Sequence, residues 1–454
     1  MFNQIECFDG FLFNQIENLY ILKKIYYFML TVEQLKVILS GQREAILRKN
    51  FGVEREILGE VSRKKDMPHV IVIAGMRRTG KSTLLRQIIK KHYSDSEFYY
   101  VNFEDERLFN FPASEFNRVY EALVELFGKK KAFFVDEIQN VRNFESFVRR
   151  FSDDGFKFYI TGSNANLLSR EIGTKLTGRH LDIIVRPFSF SEFLSLRGVK
   201  VEKNSIYLTE KRAELKRHFG EYLVLGGMPE YLAYMDPEIL SRIYEDTVIK
   251  DIAVRYGVED VSGLKELYQY LITNFACPFS FNSLRNFLKS GSVNTLRRHT
   301  EYLEETYFVK VIGRFDFSSK KQVISPKKLY VCDNGFISAI SRKVTPDYGR
   351  LLENLVFNNL LSKGDVFYYE GSRECDFVVV ESREVLGAVQ VCHELSQTDR
   401  EREIAGLEEA MGRLGLKRGL ILTYGQEEEI KYGKKTIEVK PVWKWLLEKE
   451  VLIK

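Results

Sequence analysis

The stretch of this sequence whose residue types and spacing could most directly do chemistry is residues 75–82, Gly-Met-Arg-Arg-Thr-Gly-Lys-Ser. It fits the pattern G-x-x-x-x-G-K-[ST] without a mismatch. The apolar run VIVIA at 70–74 precedes it, and a helical pattern follows at 83–89. In that setting Gly75 and Gly80 let successive backbone N–H groups face a phosphate chain, and the helix start adds partial positive charge. A chance glycine turn is the alternative, but strand, spacing and helix all predict a nucleoside triphosphate site.

The polar side chains of this loop each have a predicted task. Lys81 would reach the β- and γ-phosphates of ATP, and the Ser82 hydroxyl would ligate Mg²⁺. Arg77 and Arg78 would either contact phosphate or pair with acids such as Asp105, and the sequence leaves both options open. The candidate cofactor-binding residues of the loop are Gly75, Arg77, Arg78, Thr79, Gly80, Lys81, Ser82 and Thr83.

A second chemical signal is the acidic pair Asp136-Glu137, which directly follows the apolar residues AFFV at 132–135. We predict a Walker B motif in which Asp136 holds Mg²⁺, directly or through water, and Glu137 is the general base for the attacking water. A plain acidic pair at a strand end is the alternative. Its place after a buried strand would bring it beside the phosphate loop. Two adjacent carboxylates there indicate a hydrolase rather than a small-molecule kinase.

Ser163-Asn164 follows the next apolar run, FKFYIT at 156–161. At the tip of a neighbouring strand, Asn164 would be a polar sensor of the γ-phosphate. A simple turn cap is the alternative, since Gly, Ser and Asn all favour turns.

The elements that position these residues alternate between strand and helix patterns. Strand patterns at 70–74, 97–103, 131–135 and 156–161 predict an α/β fold, a P-loop parallel sheet covered on both faces. Ahead of them, Thr31 would cap a helix that reaches about Lys49. Residues 1–28 repeat FNQIE, and we interpret them as a leader before a true start at Met29, with a short helical appendage as the alternative.

Composition narrows the class of protein. A chain of 454 residues with 44% hydrophobic content can build about three domains with real cores, whereas a net charge of +5 does not by itself indicate nucleic acid. The five cysteines are scattered without a C-x-x-C pair, so neither a disulfide framework nor a zinc site is predicted, and a cytoplasmic location is expected. No uninterrupted apolar run approaches the ~18 residues that span a bilayer, so no membrane contact is expected.

Several further stretches make a family resemblance specific: YYVNFED, FFVDEIQ, YITGSNANLLSRE, LTGRH, RPFSFSEFL and GGMPEYL. With the phosphate loop, this order resembles an archaeal and bacterial family of AAA+-like ATPases near the STAND branch. The resemblance implies an arginine, supplied in cis or by a neighbouring subunit, that neutralises charge in the transition state. Arg179 in LTGR is the first candidate and Arg170 the second, and a solvated surface arginine is the alternative for either.

The region after Gly198 changes to helical periodicity, which breaks at GGMP, residues 226–229. We expect a small helical lid without chemistry of its own. Helix patterns at 264–275, 280–288 and 292–303, strand patterns at 306–313 and 328–332, and a basic loop at 318–321 then predict a winged helix. A spacer that only packs on its neighbours is the alternative to DNA contact. The candidate DNA-contacting residues are Asn294, Thr295, Arg297, Arg298 and His299.

The C-terminal third resembles the PD-(D/E)XK nuclease fold. Glu353 is on a predicted helix, Asp376 opens a strand, and a second strand follows at 385–391. In an active member Glu353 and Asp376 would bind Mg²⁺, and the second strand would carry acid-x-lysine. Here that triplet is Gln390-Val391-Cys392, and Cys392 cannot replace a lysine that activates water. We therefore predict a nuclease-like domain that has lost cleavage.

These signals together predict a cytoplasmic, Mg²⁺-dependent ATPase whose nucleotide state controls a C-terminal module that binds DNA. A nucleotide-gated protein-binding scaffold and an ATP-dependent nuclease are the alternatives, and a protein partner or an oligomer is compatible with each. The expected domains are a leader at 1–28, the ATPase core at 29–198, the lid at 199–261, the winged helix at 262–340 and the nuclease-like domain at 341–454.

Overall fold

The computed structural model describes residues 30–108, 111–164, 178–202, 204–289, 292–341, 345–398 and 400–448. Two expectations fall elsewhere in the chain: the leader at 1–28 and the second arginine candidate, Arg170, lie outside the described residues.

Five parallel strands form the first sheet, in the order β2-β3-β4-β1-β5. They are β1 (Val70–Ala74), β2 (Phe98–Asn102), β3 (Ala132–Asp136), β4 (Lys157–Gly162) and β5 (His180–Ile184). The first four agree with the strand patterns to within a residue at each end. The sequence did not predict β5, because Asp182 interrupts its short apolar run. All five carboxyl ends meet at one edge, where β1 lies between β4 and β5.

Helices cover both faces of this sheet, which explains why strands β1 and β3 are buried along their whole length. Val72 and Val135 lie on one face under α1, α4 and α5, whereas Ile73 and Phe134 lie on the other under α2 and α3. These helices are α1 (Val32–Arg48), α2 (Leu58–Lys64), α3 (Lys81–His92), α4 (Phe116–Phe127) and α5 (Phe144–Asp153). Thr31 caps α1 as predicted, in a reciprocal capping box with Gln34.

A helical segment follows the sheet, and it breaks where the glycines predicted a break. Its helices are α6 (Phe190–Leu196), α7 (Thr209–Leu225), α8 (Pro229–Tyr234) and α9 (Pro237–Asp246), and α9 runs on into a π-helix, Thr247–Val254. Pro229 begins α8, where its missing N–H leaves no hydrogen bond unmade. π-Helical turns are rare overall, and those that do occur often lie at functional sites.

At this break three parts of the chain meet: Phe188, Gly226-Gly227 and Asp333. We call these four residues the glycine junction. The backbone N–H of Gly227 donates to Asp333 Oδ2 at 2.6 Å, and that of Phe188 donates to the Gly227 carbonyl at 2.7 Å. A Cβ at Gly226 would lie 1.9 Å from Asp333 Oδ1, and one at Gly227 would lie 2.2 Å from the Phe188 carbonyl oxygen. Neither position has room for a side chain.

The next unit contains four helices and a small antiparallel sheet, in the chain order helix, strand, helix, helix, strand, helix, strand. Its elements are α10 (Val261–Thr273), β6 (Pro278–Phe279), α11 (Phe281–Leu288), α12 (Val293–Glu305), β7 (Val309–Gly313), α13 (Ser319–Ile324) and β8 (Lys327–Val331). The strands pair in the order β6-β8-β7. The prediction of a basic loop at 318–321 is wrong for residues 319–321, because these residues belong to the short helix α13.

The C-terminal unit is a six-stranded mixed sheet in the order β13-β14-β12-β11-β10-β9, between α15 on one side and α16 on the other. β11, β12 and β14 run parallel, and the remaining pairs are antiparallel. Trp443 and Trp445 are buried in the last described helix. The elements are α14 (Asn334–Ile340), α15 (Tyr348–Leu360), β9 (Asp365–Glu370), β10 (Glu374–Glu381), β11 (Glu384–Val391), α16 (Arg400–Leu414), β12 (Arg418–Thr423), β13 (Glu428–Tyr432), β14 (Lys435–Pro441) and α17 (Val442–Glu448).

A large apolar core extends from Phe188 to the last described helix and includes a residue of the phosphate loop, Met76. A second core lies between α16 and one face of the C-terminal sheet. We call the region from residue 209 to residue 448 the C-terminal half. Within the part of the chain that the structure covers, no helix combines the length and the apolar character needed to cross a membrane.

Candidate functional site

The phosphate loop leaves β1 in a conformation that its glycines make accessible. Gly75 has φ +149° and Gly80 has φ +95°, both rare for residues with a side chain. A Cβ at Gly75 would lie 2.2 Å from the carbonyl oxygen of Val185, so the residue that follows β5 packs directly against the start of the loop. Inside the loop, Thr79 donates its hydroxyl hydrogen to the Met76 carbonyl at 2.8 Å.

Lys81 opens helix α3 and is buried behind the loop. Its Nζ donates to the Met76 carbonyl at 3.1 Å and lies 3.7 Å from Glu137 Oε1. Thr83 lies further along the helix, where a Cβ at Gly52 would be 3.6 Å from its methyl group. The Lys81 ammonium group therefore lies between the loop backbone and the acidic pair.

Asp136 ends β3, and its carboxylate is fully engaged. It accepts hydrogen bonds from the hydroxyls of Thr161, Ser82 and Tyr100, the last at 3.2 Å. Burial, with the nearby Glu137 charge, raises the pKa of Asp136. The Ser82–Asp136 contact joins two hard oxygen ligands of the kind Mg²⁺ prefers, so these side chains fit the predicted metal.

Glu137 follows in a left-handed conformation, with φ +52° and ψ +48°, and its backbone N–H donates to Thr161 Oγ1 at 2.9 Å. Such a conformation in a residue other than glycine is strained and concentrates at functional sites. Its carboxylate is hydrogen-bonded to the Gln139 amide, which also donates to Ser163 Oγ at 3.3 Å. Sequence reasoning did not single out Gln139, although it lies only two residues after the acidic pair.

Asn164 is buried at the tip of β4 and is hydrogen-bonded to the Tyr256 hydroxyl. Tyr256 donates in turn to Glu305 Oε2, and its ring stacks on Tyr302 at 3.8 Å between ring centroids, nearly parallel. The predicted sensor is thus connected to helix α12.

The two loop arginines pair with acids, but Asp105 is not their partner, since it binds Arg107 and Gln42. Arg77 makes two hydrogen bonds to Asp251, at 2.8 and 3.1 Å, and lies 3.8 Å from Glu104. The Asp251 hydrogen bond and charge raise the pKa of Arg77.

Arg78 pairs with Glu230 at 3.2 Å. The expectation that the helical lid has no chemistry of its own is therefore incomplete, because Asp251 and Glu230 both belong to that segment. The local sequence around these two acids does not mark them as partners of the loop. Asp251 lies 174 residues after Arg77, and Glu230 lies 152 residues after Arg78.

A buried arginine below the loop was also missed. Arg55 donates to the Thr79 carbonyl at 2.7 Å, to Glu192 at 2.9 Å and to the Arg186 carbonyl at 2.6 Å. It fixes the underside of the loop to helix α6 and the end of β5. In the sequence it has no motif around it.

Arg179 lies at the opposite edge of the sheet from the phosphate loop. Its carbonyl accepts from the N–H of Val70 at the amino end of β1, whereas the loop leaves the carboxyl end. Four residues of strand separate the two ends by about 13 Å. The side chain, 47% exposed, pairs with Asp153. The structure therefore does not bring Arg179 to the phosphate site of its own chain.

The candidate DNA-contacting residues are divided on α12. Asn294, Thr295, Arg297 and Arg298 are exposed, whereas His299 is half-buried. Thr295 is also hydrogen-bonded to the helix cap Ser292. Burial lowers the pKa of His299.

Glu353, Asp376 and Gln390 lie close together in the C-terminal unit. Burial raises the pKa of Asp376, and the nearby Glu353 charge raises it further. The Asp376 N–H donates to Gln390 Oε1 at 3.1 Å.

Comparison with known proteins places this geometry in a family. Residues 67–194 match the family model described as "AAA domain", and residues 216–347 match a model described as a domain of unknown function, DUF8612. "Uncharacterized protein MJ1544" of Methanocaldococcus jannaschii is 37% identical over 396 residues, which cover 83% of this chain and 88% of that protein. An "Uncharacterized protein" of Haemophilus influenzae is 31% identical over 377 residues, 79% of this chain and 89% of its own. The chain belongs to their family.

Solved structures resemble it more distantly. The Aeropyrum pernix ORC1 protein, solved in complex with DNA, is 12% identical with a TM-score of 0.29, covering 66% of this chain and 96% of its own. AMPPCP-bound DnaA from Aquifex aeolicus is 14% identical with a TM-score of 0.24, covering 55% of this chain and 86% of its own. Scores this low carry no functional argument. With the family match, the five-stranded parallel sheet and its loop establish the predicted α/β, P-loop fold class.

Proposed function

We propose that this protein is a Mg²⁺-dependent ATP-binding and ATP-hydrolysing switch whose nucleotide state controls its C-terminal half. One observation carries the proposal: three consecutive residues of the phosphate loop each contact that half. Met76 contacts Cys332, Arg77 pairs with Asp251, and Arg78 pairs with Glu230. A ligand that rearranges this loop must therefore change contacts in the C-terminal half.

The two arginines supply an electrostatic part of the switch. A triphosphate in the loop brings negative charge close to both guanidinium groups, and it would compete there with Asp251 and Glu230. The Arg77 pair is mostly buried and has two hydrogen bonds, so its loss is the larger effect. The half-exposed Arg78 pair is worth little because water screens it.

Met76 supplies a second part of the proposed switch, which acts through side-chain packing. Only 1% of this side chain is exposed, and its sulfur lies 3.3 Å from Cys332 Sγ at the end of β8. Met76 belongs to the core of the C-terminal half rather than to either face of the ATPase sheet. Since cores are close-packed, a shift of the loop is felt as a shift at the end of β8.

The hydrogen-bonded series Asn164, Tyr256 and Glu305 supplies a third part of the proposed switch. A γ-phosphate that recruits the Asn164 amide would weaken its bond to Tyr256, which is hydrogen-bonded to Glu305 at the end of α12. The presence or absence of the γ-phosphate would then be read at α12.

Hydrolysis would use Glu137 as the base that accepts a proton from the attacking water. Its strained backbone and its bond to Gln139 fix the carboxylate at the carboxyl edge of the sheet. Mg²⁺ held by Ser82 and Asp136 would neutralise charge on the phosphates. Lys81, now 3.7 Å from Glu137, would turn to the phosphates and leave the base free.

The partner we propose for the C-terminal half is DNA, bound through a winged helix at 261–331. The order of helices and strands there, apart from the additional short helix α13, supports a winged helix, and α12 presents Asn294, Arg297 and Arg298 on an exposed surface. Arg297 also lies over the Phe281 ring at 5.3 Å, which holds its side chain against α11. Cationic groups on an exposed helix suit phosphate contacts.

The experiment that tests the proposal compares duplex DNA binding by two variants, with and without ATP and Mg²⁺. Glu137→Gln should bind ATP without cleaving it, so DNA affinity should change on ATP addition, whereas Lys81→Ala should show no change. Log affinity should fall linearly with log salt concentration because phosphate contacts release counterions. ATP-dependent capture of a protein by Glu137→Gln, with no DNA binding at any salt, would instead support a protein-binding scaffold.

A further inference from the structure

Lys328 in β8 is the buried cation of the nuclease-like carboxylate cluster. Its Nζ lies 2.5 Å from Glu374 Oε1 and 3.6 Å from Glu353 Oε1, and only 3% of the side chain is exposed. The residue comes from the small sheet of the preceding unit, not from the strand where a nuclease-like lysine is expected. Sequence spacing therefore gave no signal for it.

The cluster is arranged to keep this ammonium charged. Burial alone would lower the pKa of Lys328, but the charges of Glu353, Asp376 and Glu374 outweigh burial and raise it. Burial raises the pKa of Glu353, and the charge of Lys328 opposes that rise. A buried carboxylate needs such a partner, since an unpaired one is strongly disfavoured.

One oxygen atom of each carboxylate that a metal ion would need is already engaged. Glu353 Oε1 accepts from the Tyr330 hydroxyl at 2.6 Å, and Asp376 Oδ2 accepts from the Val391 N–H at 2.8 Å. Gln390 uses its carbonyl on the Asp376 N–H and its amide on Glu403 Oε2, the latter at 2.5 Å. Among the residues that the structure describes, no three His, Cys, Asp or Glu side chains are grouped closely enough to hold a metal ion.

We propose that Lys328 is a built-in cation of this site, whose ammonium group stands where a nuclease-like domain would hold a divalent metal ion. The C-terminal sheet then neither holds a metal ion nor cleaves nucleic acid. Its carboxylates instead fasten β8 to β10 and α15, which joins the unit at 261–331 to the C-terminal sheet. This holds whether or not the phosphate loop binds ATP.

The test measures Mn²⁺ binding to the full chain. Electron paramagnetic resonance reports the free Mn²⁺ that remains, and the shift in Tm reports stabilisation by bound metal. An Asp136→Asn background removes the metal ligand of the phosphate site. With Lys328 intact, we expect no bound Mn²⁺ and no rise in Tm. Lys328→Ala on the same background should have a lower Tm without metal, by roughly 5–10 °C. It should bind about one Mn²⁺, regain part of that loss, and lose the gain again when Asp376→Asn is added.

Lys327→Ala is the matched control, because Lys327 is the neighbouring lysine and donates to the Gln322 carbonyl at 2.7 Å instead of to the cluster. It should gain no Mn²⁺ binding. The proposal is overturned if a folded Lys328→Ala protein binds no Mn²⁺. It is also overturned if the Lys328-containing protein binds Mn²⁺, or nicks plasmid with Mn²⁺, in a way that Asp376→Asn abolishes. If Lys328→Ala fails to fold, Lys328→Met takes its place, because methionine is uncharged and similarly long. The measurements with Lys328 intact and with Lys328→Met then decide whether the proposal holds.

Discussion

Arg77 in the phosphate loop and Asp251 in the π-helix form a two-point ion pair, with nitrogen–oxygen distances of 2.8 and 3.1 Å. In the proposed switch, this pair is made without nucleotide and weakened with it. Asp251→Asn removes the competing charge, so ATP should bind about fivefold more tightly, as expected for roughly 1 kcal/mol. Isothermal titration of the variant with a non-hydrolysable ATP analogue measures this.

Asp246→Asn is the control for that measurement, since Asp246 is on the same helical segment and pairs with Lys250, at 2.8 Å, instead of with the loop. It should leave the affinity unchanged. Weaker ATP binding by Asp251→Asn would mean that Asp251 supports the nucleotide site and does not compete with it.

Removal of the proposed base separates binding from hydrolysis. Glu137→Gln should retain ATP affinity within about threefold, whereas kcat should fall by about 10²-fold or more, the usual contribution of a general base. Lys81→Ala should lose binding itself. Single-turnover hydrolysis and filter binding give the two quantities. If Glu137→Gln hydrolyses ATP at the normal rate, another group is the base.

The Tyr256 hydroxyl is the middle of the connection from Asn164 to Glu305. Tyr256→Phe keeps the ring stacked on Tyr302 but removes both hydrogen bonds. ATP hydrolysis should stay within about twofold, because the change lies outside the catalytic groups, while the effect of ATP on DNA affinity should disappear. Tyr302→Phe preserves the stacking and these hydrogen bonds, and its ATP response should match that of the native protein.

Arg179 can act only on a neighbouring subunit if it acts at all, since it lies at the far edge of its own sheet. Arg179→Ala should then lower kcat without changing ATP affinity. A mixture with Lys81→Ala should recover activity, because one subunit supplies the loop and the other the arginine. Arg149→Ala is the control, because Arg149 lies 3.9 Å from the same Asp153. No recovery, at any protein concentration, would leave Arg179 a surface residue.

Asp333 predicts how stability depends on pH. Burial raises its pKa to about 7, and two backbone N–H bonds only partly oppose the rise. A carboxyl whose folded pKa is raised contributes stability below its unfolded pKa, and that contribution is lost as pH rises through about 7, by up to about 4 kcal/mol. The Tm of the native protein relative to Asp333→Asn should therefore fall between pH 4 and pH 7.5. Asp236→Asn, at an exposed helix cap, should show no such trend.

The sequence predicts best where local chemistry dictates local structure. The phosphate loop, Asp136-Glu137 and the first four strands could be placed because apolar runs and glycines constrain the backbone over short distances. Thr31 could be placed as a cap for the same reason. The pairing of Arg77 with Asp251 could not, because two charges far apart in the chain leave no periodic trace. Lys328 shows the same limit, since a buried cation supplied by another unit falls outside any spacing rule.

The glycine junction bears on how relatives of this protein are recognised. Gly226 and Gly227 have no space for a side chain, and Gly227 and Phe188 hydrogen-bond backbone to backbone. Selection for folding alone is therefore enough to preserve this stretch of sequence, even in a relative whose ATP site has decayed. A match confined to the junction reports common ancestry and architecture, and activity has to be read separately, from the loop and the acidic pair.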